Sequence, residues 1–112
     1  MNIIFICTMN KWRSPTAEKI YFNHPSIKVR SAGTSSKARR TVSINDIIWS
    51  DIIIVMESKH KQRLKSNYQS ELNDKDVFVL DIPDDYQFMD PELIDILEGS
   101  IDPIITGLNP KK

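Results

Sequence analysis

The chain has 112 residues, enough for one domain (residues 1–112) and too few for two. Fifteen Lys and Arg balance fifteen Asp and Glu, and this zero net charge argues against a general nucleic-acid binder. A single cysteine, Cys7, excludes an internal disulfide.

The N-terminal run Ile3-Ile4-Phe5-Ile6 lacks a basic lead-in and is too short for a signal peptide, and no apolar run approaches the roughly 18 residues that cross a bilayer. With the lone cysteine this predicts a reducing, cytoplasmic setting and no membrane partner.

Ile3–Ile6 reads as a buried strand, apolar without alternation, as in a parallel sheet covered on both faces. A helix opens at Ser14-Pro15-Thr16-Ala17-Glu18, where proline suits a first turn. Ile27-Lys28-Val29-Arg30-Ser31 alternates and reads as an edge strand that Gly33 breaks. Ser43–Ser50 is predicted as a helix with Ile44, Ile47 and Ile48 facing inward and Trp49 in the core. Ile52–Met56 is the next strand, and Ser58–Ser66 the next helix, basic and mostly exposed. Val77–Ile82 is the last strand. Asp90-Pro91-Glu92 then caps a helix that buries Leu93, Ile96 and Leu97, with a separate short helix over Ser100–Leu108 and a frayed Pro110-Lys111-Lys112 tail. Alternating strands and helices predict a single three-layer α/β domain, a parallel sheet with helices on both faces. Ligands of such sheets bind beyond the carboxyl ends of the strands, where Cys7 and Asp84 both fall.

The chemistry concentrates in Cys7-Thr8-Met9-Asn10-Lys11-Trp12-Arg13-Ser14-Pro15. A cysteine ends a buried strand, five residues form a loop, and arginine opens a helix. A short loop feeding a helix N-terminus gathers backbone N–H groups that suit a phosphate dianion and favour a thiolate. Arg13 can add paired hydrogen bonds to phosphate oxygens, and Ser14 can donate to the sulfur. Nucleophile and anion cradle side by side are what attack of sulfur on phosphorus needs. A lone cysteine at a strand end is also a common small core residue.

At these residues the sequence resembles the low-molecular-weight protein tyrosine phosphatase family. Cys7-x-x-Asn10-x-x-Arg13-Ser14-Pro15 is similar to its phosphate loop, Ser31-Ala32-Gly33-Thr34 to the end of its second strand, Asp51–Met56 to its third strand, and Asp81-Ile82-Pro83-Asp84-Asp85-Tyr86 to its general-acid segment. The resemblance implies a four-stranded sheet in the order 2-1-3-4 and a phosphatase working through phosphocysteine. It implies Cys7 as nucleophile, Arg13 on the phosphate, Thr8, Met9, Asn10, Lys11, Trp12, Arg13 and Ser14 as the phosphate-binding loop, Asn10 in a left-handed turn, Asp84 as general acid and Tyr86 with Trp12 at the pocket. Asp84 is preferred to Asp85, with Asp81 third; the plain alternative is that these aspartates favour a turn.

The sequence departs from that family. Met9 replaces the loop glycine, Trp12 a second cysteine, and Asp85 the proline after the acid, and the stretch from Gly33 to Ser43 is short. Trp12 either replaces lost pocket wall or packs on the next helix. Without a second cysteine, oxidation of Cys7 should yield sulfenic or higher acids and no internal disulfide.

Lys37, Arg39 and Arg40 form a basic cluster, read as a solvated loop or as an attractor for an acidic substrate. His24 and His60 read as surface residues without metal-ligand spacing, so no metal or other cofactor is expected. The expected partner is a phosphorylated substrate, foremost a phosphotyrosine protein. An arsenate reductase served by an external thiol and a non-catalytic phosphate-binding module are the competing readings.

Overall fold

The computed structural model describes residues 1–108. The predicted Pro110-Lys111-Lys112 tail lies outside them. The elements, in chain order, are β1 (Asn2–Cys7), α1 (Arg13–Tyr21), β2 (Lys28–Gly33), α2 (Ile44–Trp49), β3 (Ile52–Val55), α3 (Ser58–Leu72), β4 (Asp76–Val79) and α4 (Pro91–Leu108). The four strands form one parallel sheet in the order β2-β1-β3-β4, as expected.

The unbroken apolar strands are explained by two cores. Ile3, Phe5, Ile52 and Ile54 point to one face, where they meet Ala17 and Tyr21 of α1 and Leu93, Leu97 and Ile101 of α4. Ile4, Ile6, Ile53 and Val55 point to the other, against Val42, Ile47 of α2 and Leu64 and Leu72 of α3. Alternate residues therefore serve opposite layers, and along Ile3–Ile6 and Ile52–Val55 no position is left for a polar side chain. Parallel pairing sets Cys7 beside Gly33 and Ile6 beside Val55, which brings the carboxyl ends of β1, β2 and β3 to one rim.

Several sequence expectations are corrected. Of the three isoleucines of α2 only Ile47 is buried, while Ile44 and Ile48 are exposed. The buried Asp46 accepts from Arg40, Arg30 and the Ser43 N–H, and this turns the face holding 46, 47 and 50 inward. Trp49 is half-buried, with the Arg30 guanidinium 4.0 Å from its ring centre. His60 is buried, not on the surface. β4 ends at Val79 because Asp81 takes φ of 59°, although Leu80 and Ile82 still donate to Val55 and Met56 carbonyls of the β3 segment.

The helix beginning at Ser58 runs on to Leu72, with non-helical backbone at Tyr68. The two predicted C-terminal helices are one, α4, with Pro103 inside it. Proline removes an N–H and leaves the Gly99 carbonyl without its helical donor; both residues are exposed, so water can meet that carbonyl. The expected cap is in place, with the Glu92 N–H donating to Asp90 Oδ1 at 2.9 Å.

Candidate active site

β1 delivers Cys7, 3% exposed, to the rim, and the loop 8–12 turns back into α1. The turn is made at Asn10, whose φ is 52°; Met9 stays out of the left-handed region. The methionine in place of glycine thus costs no backbone strain, and its side chain stands exposed.

Asn10 is buried and its amide donates to Ser14 Oγ and Ser31 Oγ, both at 2.9 Å. Ser14 Oγ is 3.0 Å from Cys7 Sγ, and Ser31 donates to Glu18 Oε1 at 2.5 Å. A chain of neutral groups therefore runs from the second strand to the sulfur. Among the described residues, the N–H groups of Met9, Asn10, Lys11 and Trp12 meet no protein acceptor, which leaves them for an anion.

The shortened stretch after β2 folds back onto this loop. Thr34, Ser35 and Arg39 N–H donate to the carbonyls of Cys7, Thr8 and Met9, and Arg39 Nε donates to the Asn10 carbonyl at 3.0 Å. Arg40 donates to Ser31 O and Asp46. Burial alone would raise the Asp46 pKa, but hydrogen bonds from Arg40 and Ser43 with the Arg40 charge hold it below the usual value. Two of the three basic residues expected at the ligand face are therefore tied into the scaffold. Gly33 is required there: a Cβ would lie 2.4 Å from the Thr8 carbonyl oxygen and 2.9 Å from the Asn10 nitrogen.

The opposite side is charged. Arg13 is almost wholly buried, its Nη1 donating to Glu57 Oε1 at 2.6 Å and to the Ile82 carbonyl at 2.8 Å. Its buried Nε has no hydrogen-bond partner and stands 3.6 Å from Asp84 Oδ1. A buried guanidinium donor without a hydrogen-bond partner is suited to bind an oxyanion. The Arg13 hydrogen bond, aided by its charge, holds the Glu57 carboxyl below its ordinary pKa against opposing desolvation.

His60 accepts the Glu57 N–H on Nδ1 at 3.0 Å. That fixes the proton on Nε2, which donates to Thr8 Oγ1 at 2.8 Å. Burial, with the nearby Arg13 charge, pushes its pKa down to about 4, so the ring is neutral at neutral pH.

The fold thus assembles Cys7, Arg13, Ser14, Asn10 and Asp84 as the sequence suggested. Asp85 and Asp81 are exposed, and neither makes an ion pair with Arg13 among the described residues. Tyr86 is half-buried and its hydroxyl donates to Glu92 Oε2 at 2.8 Å. Trp12 opens α1, its carbonyl accepting from Thr16, and it lines an open groove with Phe88. Sequence reasoning missed Glu57 and His60. Their signal was position: both follow β3 directly, at the carboxyl end of a central strand, where ligands of such sheets bind. Among the described residues no cluster of three potential metal ligands occurs, and no helix is long and apolar enough to cross a membrane.

Residues 2–48 match the family model of low molecular weight phosphotyrosine protein phosphatase. No curated protein matches the chain. Among solved structures, a protein tyrosine phosphatase is 27% identical, covering 99% of this chain and 97% of that one with a TM-score of 0.76. The low molecular weight protein tyrosine phosphatase SP-PTP of Streptococcus pyogenes is 19% identical, covering 98% and 94% with a TM-score of 0.76. The YwlE arginine phosphatase, as a C7S mutant with a phosphorylated active-site serine, is 23% identical, covering 100% and 98% with a TM-score of 0.74.

Proposed function

We propose that this chain, which is similar over residues 2–48 to the low molecular weight phosphotyrosine protein phosphatase family, is a cysteine-dependent phosphatase of that kind and hydrolyses the phosphomonoester of phosphotyrosine proteins, with Cys7 as nucleophile.

The Cys7 thiolate attacks phosphorus and the bond to the leaving oxygen breaks. Asp84 gives its proton to that oxygen, so no free phenolate forms. The free N–H groups of residues 9–12 and Arg13 Nε hold the equatorial oxygens. Water then attacks the phosphocysteine, Asp84 takes its proton, and the S–P bond breaks to release inorganic phosphate and the thiolate. Ser14 Oγ, 3.0 Å from the sulfur, donates to the thiolate each time it is the leaving group. Thr8 takes its place through His60, and Asn10 fixes the turn.

The observation that carries this reading is the unpartnered, buried Arg13 Nε beside Asp84 at the mouth of the Cys7 loop. A phosphate-binding module would need no carboxyl poised there. The cations Lys11 and Arg39 at the mouth repel a guanidinium leaving group, which favours an aryl phosphate over phosphoarginine.

Turnover of p-nitrophenyl phosphate by the natural protein, Cys7→Ser and Asp84→Asn is the test. Cys7→Ser should be inactive and Asp84→Asn slowed by about 10²–10⁴-fold, the range of one general acid. Full activity in Cys7→Ser rejects the covalent route, and thiol consumption driven by arsenate would point to the reductase.

A further inference from the structure

The nucleophile and its loop account for a phosphoryl group, but not for the surface next to them. A groove of about 720 Å³ begins at Lys11 and Trp12 of the loop and runs along α1, past Pro15, Glu18, Lys19 and Phe22, with Arg39 and Phe88 on the facing wall. Pro15, Glu18 and Lys19 of α1 and Phe22 just past its end lie along one side of the groove, where Lys19 and Phe22 are exposed. Phe22 is 67% and Phe88 47% exposed, so two phenyl rings and the Trp12 ring stand in water around one channel.

The charge of the groove is one-sided. Among the described residues Lys11, Lys19 and Arg39 have no carboxylate within ion-pair distance. The one acid of the groove, Glu18, is engaged by the Ser31 hydroxyl. Lys11 Nζ sits 4.9 Å from the Trp12 ring centre, which holds its charge at the entrance.

We propose that this groove is a docking site for the polypeptide flank of the substrate, and that the flank carries an apolar or aromatic side chain next to an acidic one. The inference rests on the phosphatase reading and narrows it to phosphoproteins of that local sequence. Continuity with the loop supplies the geometry, since Trp12 precedes the phosphate-gripping Arg13 and also forms the near wall. Three rings supply the apolar contact, and Lys11, Lys19 and Arg39, none with a carboxylate partner among the described residues, supply the preference for acid.

The test uses the Cys7→Ser protein and fluorescence anisotropy with two labelled phosphotyrosine peptides, one flanked by Glu and Leu residues, the other by Lys and Ser residues. The acidic-apolar peptide should bind roughly tenfold tighter, a difference of about 1.4 kcal/mol. Phe22→Glu, placed on an exposed side chain, should abolish the difference, and Lys19→Glu should reduce it. In the protein with Cys7 intact, Phe22→Glu should raise KM for the acidic-apolar peptide and leave p-nitrophenyl phosphate turnover unchanged. Equal binding of the two peptides, or of neither, overturns the proposal. So does a dimer in sedimentation that Phe22→Glu dissolves, because a second copy would then be the occupant. If p-nitrophenyl phosphate is not turned over while the flank preference persists, the phosphatase reading falls and the docking site stands.

Discussion

The phosphate loop is held from two sides by different physics. On the β2 side its partners are neutral but for the Arg39 guanidinium on the Asn10 carbonyl: the Asn10–Ser14–Ser31 chain, the Gly33 backbone and carbonyls that accept from the Thr34, Ser35 and Arg39 N–H groups. On the side of β3 and the segment after β4 they are charged or titratable: Glu57 on Arg13, His60 on Thr8, and Asp84 beside Arg13 Nε. The first side fixes where the backbone donors lie at any pH. The second sets where charge lies, and acid can undo it. Shape and charge are therefore separable in this site.

The sharpest way to break the charged side is Arg13→Lys. Lysine cannot reproduce the planar fork that serves Glu57, the Ile82 carbonyl and an oxyanion together. A loss of about 10²–10³ in kcat, the scale for removing an oxyanion donor, is expected in steady-state assays. The neutral side breaks at Gly33→Ala, where the new Cβ meets loop backbone. Denaturant unfolding should show a loss of about 1–3 kcal/mol, the usual cost of overpacking, with turnover falling alongside it.

Acid should act mainly on the charged side, although Asp46 behind β2, held below its usual pKa, loses stability in the same direction. His60 takes up a proton near 6.5 in the unfolded chain but only at about 4 in the folded one. The unfolded state then binds more protons in that window, so stability is complete above pH 6.5 and declines as pH falls toward 4. Glu57, with its folded pKa depressed, loses stability in the same direction at the lower end. Unfolding free energies from denaturant titrations should fall by on the order of 3 kcal/mol from pH 7 to pH 4, and His60→Gln should flatten the upper part of the curve. The smallest effect belongs to Lys59→Ala. That exposed ammonium is 3.7 Å from the carboxylate that Arg13 holds from inside, and its removal should cost about 0.2–1 kcal/mol or less. A large change there would show that Glu57 relies on its outer partner.

The same contrast explains what could be read from the sequence. The sheet was legible because β1 and β3 are unbroken apolar runs, a pattern that only burial on both faces produces. The neutral side of the site was partly legible because its residues sit in a compact, spaced motif from Cys7 to Ser14. Of the charged side, Arg13 and Asp84 were named but Glu57 was not, since Arg13 and Glu57 are separated by 44 positions and meet only after β3 is laid beside β1. His60 read as a surface residue because its neighbours Lys59 and Lys61 are solvated, and the sequence does not reveal that its ring turns inward to cap Glu57. Ile44 and Ile48 misled in the opposite sense, because helical spacing marks a face but not whether Asp46, bound by two arginines, will turn it away.

Cys7 is the molecule's sole thiol, and it is sheltered between β1 and α1. An alkylating reagent must therefore enter through the anion cradle. Negatively charged iodoacetate should outrun neutral iodoacetamide, and inorganic phosphate should shield the sulfur from both. Because no other sulfhydryl contributes background, the modified fraction of the whole protein is a direct census of vacant reaction centres.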